Sequence, residues 1–366
     1  MIASSAADVR RAVLSARAQG KRVAVRATGH GTLAEPGPDT LLIDTSAMRA
    51  VLVDPERRTA RVGPGATAEE VAAAAAPFGL APISGTSATV GVTGYTLGGG
   101  HGWLSRKYGL AADSLLRADV VTADGELLTA RADRRSGLFW ALRGAGGNFG
   151  VATSLELRLH PVSRVFGGTA TFDRGLAPHI LARFAEYAMP EELNVSVVVT
   201  SADVSIRGAY IGGADDAWRA LAPLFLAEPE TDTFRDMPYA ETFTIGGTAP
   251  RRFALLNDLP IDALLATPGI VEIKRWGGAI ARGDSPAGHR SVPFSVTVDG
   301  EDVSALTPFV TGGSFLNFLK DPARTPDAYT PADYARLQEL KRAYDPENVF
   351  GAGHNIIPSA RRSLAA

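Results

Sequence analysis

The stretch SGTSATVGVTGYTLGGGHGWLSRKYGLAADSL, Ser84 to Leu115, carries seven glycines between Gly85 and Gly102. A regular helix or strand tolerates that density poorly, because glycine loses more backbone freedom on ordering than any other residue. The segment is therefore expected to be a loop that comes close to something. Where Cβ atoms are missing, backbone can approach a ligand, and successive amide N–H groups make an anion-binding concavity. An isolated GGG also reads as a tight structural turn. GVTGYTLGGGHG lacks the strand-to-helix frame and the downstream acid of a Rossmann fingerprint, and no Gly-Lys-Ser/Thr follows to make a P-loop.

A second glycine-flanked element precedes it. RATGHG, Arg26 to Gly31, follows the apolar run RVAVR. His30 reads as a turn residue, a metal ligand, a general base or a cofactor handle. The chain contains no cysteine and only six histidines, none of them in a His-x-x-x-His pair. Thiolate sites and disulfides are excluded, and zinc or non-haem iron is disfavoured. With Lys+Arg 37 against Asp+Glu 39, the net charge of -2 gives no electrostatic reason to expect nucleic acid or an anionic membrane as partner. The N-terminus has no secretory signal pattern and no apolar run is long enough to span a bilayer, so a cytoplasmic protein is expected.

The 366 residues, 45% of them hydrophobic, suit two domains or one with a large insertion. A Ser/Asp cap precedes a helix with apolar Val9, Val13 and Leu14. Strand-like RVAVRA, TLLIDTS, RTARVGP and RADVVTADGEL alternate with alanine-rich helices, and VTADGELLTA carries an Asp-Gly hairpin signal. Val151, Thr153, Leu155, Leu157 and Leu159 alternate onto one buried strand face. From about residue 164, GGTATF, NVSVVVTS and VSIRGAYIGG read as antiparallel strands. HILARFAEYA and DDAWRALAPLFLA read as amphipathic helices. HRSVPFSVTVDG and GSFLNFLK continue the strand pattern, and a final helix runs from about Ala332 to Tyr344.

Taken in order, VRATGHG, GTSATVGVTGYTLGGGHGWLSRKYGLAADSL, DVVTADGEL, LFWALRGAGGNFGVATSLELRLHP, GSFLNFLK and YDPENVFGAGHNIIP resemble the berberine-bridge-enzyme-like FAD-linked oxidases of the vanillyl-alcohol-oxidase superfamily. The resemblance implies an α+β protein: a PCMH-type FAD-binding domain over residues 1–163 plus 331–366, and a second α+β substrate domain over 164–330 whose antiparallel sheet is covered by helices. It implies FAD as cofactor, wrapped by Arg26, Ala27, Thr28, Gly29, His30 and Gly31, with His30 bonded to the 8α-methyl carbon of the flavin. In many relatives a cysteine makes a second link; Ser87 stands at that position, so no cysteinyl link is expected. Gly85, Thr86, Gly91, Val92, Gly94, Gly102, Leu104, Gly150 and Val151 match cofactor-contacting positions, largely through backbone. Asp113 matches an aspartate near the adenine-side turn and reads equally as a cap. Asn355 matches a residue near the isoalloxazine, and Val90 matches the gate beside the flavin edge, where valine accompanies use of molecular oxygen.

One departure concerns catalysis. Relatives carry Tyr-x-Asn-Tyr where this chain has Phe315, Asn317 and Phe318, so the usual phenol base is missing. Tyr95, His101, Tyr108, Tyr210, His289 and His354 are the groups left, of which Tyr210 and His101, with Asn317, are the catalytic candidates. The expected activity is oxidation of a small natural-product or sugar-like substrate with O2 as acceptor. The alternative is a structural or non-redox FAD in a pocket that promotes a cyclisation by orientation. Relatives also carry an N-terminal segment ahead of the strand matching MIAS, so a flavin pocket more open on that side is expected.

Overall fold

Ser5 caps the first helix, Ala6–Ala18, by accepting a hydrogen bond from the Asp8 amide, and Val9, Ala12, Val13 and Ala16 form its buried stripe. A computed structural model of the chain describes residues 1–31, 36–248 and 250–360. β1 (Arg22–Arg26) and β2 (Thr40–Asp44) pair in parallel. β3 (Val51–Asp54), β4 (Thr59–Val62), β5 (Leu115–Val121), β6 (Leu127–Arg131) and β7 (Val151–Arg158) form an antiparallel sheet in the order β3-β4-β7-β5-β6. The Asp-Gly turn joins β5 to β6, with Gly125 at φ +80°. A core of leucine, valine and alanine lies between this sheet and the helices Ala68–Ala75, Ser136–Leu142 and Pro331–Tyr344. The first helix and β1 join a second cluster with Val121 and Val151.

β8 (Arg164–Asp173) opens a second antiparallel sheet. It continues with β9 (Leu193–Val199), β10 (Asp203–Tyr210), β11 (Thr231–Asp232), β12 (Arg235–Pro238), β13 (Arg252–Leu256), β14 (Val271–Arg275) and β15 (Phe294–Val298). Its order is β11-β8-β10-β9-β14-β15-β13, with β12 also on β8. Strand alternation divides its faces. Val195, Val197, Val204, Ile206, Val271, Ile273, Val296 and Val298 share a core with Ile180, Leu181, Phe184 and Leu264 of the covering helices. The opposite face carries Asn194, Ser196, Ser205, Arg207, Glu272, Lys274, Ser295 and Thr297. This polar face turns toward the glycine loop, where Asn194 Nδ2 donates to the Gly102 carbonyl at 2.8 Å. The buried guanidinium of Arg106 bolts the two units together by donating to the carbonyls of Leu193, Met189 and Trp276.

Two expectations need correction. GSFLNFLK is not a strand: Leu316–Phe318 is a 3₁₀ turn. Successive residues there go to three places. Phe315 joins Trp276 and Leu255, Leu316 and Leu319 enter the first core, and Asn317 reaches the glycine loop. Steps of about 120° per residue permit this, whereas strand alternation offers only two faces. The chain also returns to the first unit before residue 331, since Leu316, Leu319, Ala328 and Tyr329 already belong to the first core.

Candidate functional site

β1 delivers RATGHG to a turn that faces the glycine loop. Thr28 Oγ1 accepts from the Gly91 amide at 3.1 Å, and His30 Nε2 lies 2.8 Å from Thr89 Oγ1. The two loops are thus clasped side by side. The amides of Ala27 through Gly31 donate to no other described residue, and neither do those of Gly85 through Thr89. Backbone donors in folded proteins almost always find a partner. Two facing rows of uncommitted N–H groups suit a diphosphate.

The glycines that follow serve close packing. A Cβ on Gly102 would overlap the Ser84 carbonyl oxygen, and Gly99, at φ +117°, has no room beside the Phe315 ring. Asn317 holds this turn from the other side: its Oδ1 accepts from the Gly100 amide at 2.9 Å and its Nδ2 donates to the Tyr95 carbonyl at 3.1 Å. Asn317 is therefore a positioning residue for the loop. Four buried polar atoms of one segment, Thr93 Oγ1, Tyr95 OH, His101 Nε2 and Trp103 Nε1, have no partner, and neither has Asn355 Oδ1. Burying so many unpaired groups in one segment is costly unless a ligand satisfies some of them. Orphaned side chains and free amides together fit a dinucleotide cofactor.

The other expected cofactor positions divide. Val90 is half-buried, its carbonyl accepting from Ala68, which leaves the side chain at the loop surface. Ser87 lies 3.4 Å from Thr89 Oγ1. Val92 and Leu104 have buried side chains in the cores, and the amides of Val92 and Gly102 are committed to Ala66 O and Ser105 Oγ. Gly94 lies inside the helix Val92–Leu97. Gly150, at φ +148°, backs onto the Val121 carbonyl at the start of β7, and Val151 pairs with Val121. Arg26 sits 3.5 Å from Asp44. Asp113 takes the cap role that its sequence equally allowed: its carboxylate accepts from the Leu110 amide at 2.8 Å and from both Nη atoms of Arg290 at 2.8 Å. It serves as a cap and an anchor to the second unit.

Among the proposed bases, Tyr210 is also corrected. It shares the phase of Val204 and Ile206 and packs with the helix-covered core, on the side of the sheet away from the glycine loop. His354 bridges Thr325 Oγ1 and the Leu319 carbonyl, His289 contacts the Asp327 carbonyl, and Tyr108 stacks on His160 at 4.1 Å. His101 does reach the interface. Its ring stacks on Trp276 at 5.5 Å, and burial, reinforced by Lys274, holds its pKa down at about 3. At neutral pH it is therefore an uncharged imidazole with one acceptor nitrogen. Phe315 is fully buried against Trp276, a packing residue as its chemistry requires.

The His101 shift has a consequence for stability. The unfolded chain binds a proton at the ordinary value of 6.5, whereas the folded chain binds it only near 3. Stability is thus intact above about pH 6.5 and is lost as pH falls toward 3. By pH 4 the expected loss is about 3 kcal/mol from this group. His160, held at about 4 by burial, adds to it. Denaturant titrations at pH 7 and pH 4 should show this loss, and His101→Phe should shrink it. An equal pH 7 to pH 4 difference in the variant would remove His101 from the account.

Residues missed by the sequence reading complete the inward face. GIVEIKRW alternates Val271 and Ile273 with Glu272 and Lys274, a pattern that ordinarily marks a solvated strand face. Here the face is interior: Glu272 is 0% exposed and accepts from Ser196 Oγ at 2.8 Å and the Thr248 amide at 2.9 Å. Lys274 Nζ lies 3.4 Å from it. These contacts and Lys274 keep Glu272 ionised despite its burial. Tyr239, also missed, accepts from the Ser84 amide at 3.2 Å, and burial pushes its phenol up to about 12. Among the described residues no His/Asp/Glu group could hold a metal, and no helix is long and apolar enough to cross a membrane.

Known proteins resemble the chain at both ends and throughout. Residues 1–131 match the model of an FAD binding domain, and residues 314–357 match that described as berberine and berberine like. (R)-6-hydroxynicotine oxidase of Paenarthrobacter nicotinovorans is 30% identical over 97% of this chain and 90% of its own length. Xylooligosaccharide oxidase of Thermothelomyces thermophilus is 31% identical over 64% of this chain and 50% of its own. The crystal structure of 6-hydroxy-D-nicotine oxidase from Arthrobacter nicotinovorans superposes with a TM-score of 0.84 at 28% identity, covering 98% of this chain and 92% of the other.

Proposed function

Because the chain belongs to the FAD-linked oxidoreductases of the berberine-bridge-enzyme-like family, we propose that it is an oxidase acting on a small natural-product-like or sugar-like molecule, with O2 as acceptor and His30 as covalent tether. FAD, when bound, supplies a two-electron acceptor that takes a hydride from a substrate carbon and returns both electrons to O2, giving H2O2. The observation that carries the proposal is the pair of free amide rows, Ala27–Gly31 and Gly85–Thr89, clasped by Thr28 and Thr89. They would hold the diphosphate. The orphaned hydroxyl of Tyr95 and Oδ1 of Asn355 are available to the rest of the cofactor.

This chain's own residues then orient the substrate and manage its proton. Phe315 and Phe318 cannot accept one. The wall instead offers an uncharged His101, the Glu272 carboxylate and the Lys274 ammonium. The half-buried Val90 is small enough to leave oxygen access, which supports oxidase over dehydrogenase. Purified protein mixed anaerobically with 6-hydroxynicotine, xylo-oligosaccharides or hydroxy acids should lose its yellow colour with one of them and regain it in air with stoichiometric peroxide. The absence of a phenol base favours a second reading, a non-redox FAD in a cyclising pocket. Product formation that persists with a deazaflavin cofactor and makes no peroxide would establish that reading and sink the oxidase.

A further inference from the structure

The inward face of the second sheet carries more positive charge than its own partners neutralise. Arg207 on β10, Ser196 on β9 and Lys274 on β14 stand in one cross-strand row. Two strand spacings place the Arg207 and Lys274 backbones about 10 Å apart, with both side chains on the same face. Glu272, the carboxylate beside them, already accepts from Ser196 and Thr248. Lys274 has only its 3.4 Å approach to Glu272, and its side chain is 13% exposed. The Arg207 guanidinium forms no hydrogen bond or ion pair with a described residue, and its Nε is buried without a partner. Arg106, the other cation nearby, is committed to three carbonyls. Two cations therefore face one engaged carboxylate and a neutral imidazole.

Buried cations left short of partners are costly, and a guanidinium beside an ammonium is a strong receptor for a planar anion. Further along the same face, two strands beyond Lys274, the wall becomes aromatic. Phe253 lies on the same face, in one row with Thr297 and Glu272, and stacks on Phe318 at 5.0 Å. Both rings are half-buried.

We propose that Arg207 and Lys274 anchor a carboxylate of the substrate, with its apolar or aromatic body directed along the wall toward Phe253 and Phe318, so that the oxidase acts on aryl or alkyl carboxylic acids bearing an oxidisable C–H. This deepens the oxidase reading and rests on it. Benzoate is a suitable probe and benzamide its uncharged match. Calorimetry on the holoprotein should find benzoate bound and benzamide at least tenfold weaker. Arg207→Gln, which leaves the Glu272 hydrogen bonds to Ser196 and Thr248 in place, should weaken benzoate by about 10- to 100-fold, the range for a lost charge-assisted hydrogen bond. Lys274→Gln should do the same if its melting temperature is retained. Equal binding of benzoate and benzamide by the wild type, no binding of either, or an Arg207→Gln variant with unchanged affinity would overturn the proposal. The two readings fail differently. Flavin reduced by a neutral sugar while benzoate does not bind keeps the oxidase and removes the anchor. Benzoate bound selectively to a flavin that no substrate reduces keeps the anchor and removes the oxidase.

Discussion

Intact-mass measurement of the denatured protein is expected to find the chain heavier by one FAD, with the whole increment gone in His30→Ala. The geometry supports both halves. His30 is exposed just beyond β1, in a loop whose amides donate to no other described residue, and among those residues its ring meets only Thr89 Oγ1. Thr89 Oγ1, 2.8 Å from Nε2, fixes the ring's orientation and therefore which nitrogen is presented outward, as an outer partner does for a liganded histidine. Ser87 stands nearby, but a hydroxyl is a far weaker nucleophile than a thiolate, so a second link is not expected and the loss in His30→Ala should be complete. Thr89→Val should lower the attached fraction without abolishing it. The variant is expected to stay yellow when native, because the amide rows hold the cofactor independently of the tether. Wild-type protein whose denatured mass equals that of the bare chain would refute the covalent link and leave the non-covalent site standing.

What the sequence made legible is local. The Ser5 cap and the Asp-Gly hairpin each depend on neighbours within a few residues, and each is where the pattern puts it. The alternation along β7 holds for Leu155, Leu157 and Leu159, which share the first core, but a register shift against β5 at Asp119 and Val120 turns Ala152 into that core and Val151 into the other cluster. The break at Arg164 follows from a change in texture. Tyr210 was misassigned although its phase was readable. Val204 and Ile206 are the apolar members of that strand, so Tyr210 shares their face and Arg207 the other. GSFLNFLK resisted because its residues serve three surroundings at once, which a two-fold pattern cannot express. Glu272 and Lys274 were invisible for a different reason. Charged residues alternating with valine and isoleucine mean water in an isolated sheet, and only docking against the first unit turns that face into an interior. Asp113 was legible as a cap because Leu110 is local, but its second partner, Arg290, lies far along the chain and was not.

Lys341→Ala is expected to cost about 3–5 kcal/mol of stability, the range for removing one member of a buried ion pair. Lys341 and Asp345 are both 0% exposed, on the last turn and cap of the helix Pro331–Tyr344. The ammonium donates to Asp345 at 2.6 Å and to the Asn148 carbonyl at 2.7 Å. Asp345 in turn accepts from the Val349 and Phe350 amides at 2.8 and 2.9 Å. Removing the lysine thus leaves a buried carboxylate uncompensated and an acceptor on Asn148 unfilled. Replacing both partners should not restore stability fully, because Asp345 also satisfies two backbone donors. The cost should extend to the cofactor. Asn148 donates to the His354 carbonyl at 2.8 Å and accepts from the Ile356 amide at 2.8 Å, so the lysine helps fix the strap that carries Asn355. Chemical denaturation of Lys341→Ala, read by protein fluorescence and by flavin release, should show both signals shifted to lower denaturant. A variant with wild-type stability would mean that the pair contributes nothing net; one that unfolds earlier but releases flavin at the wild-type midpoint would uncouple the strap from the site.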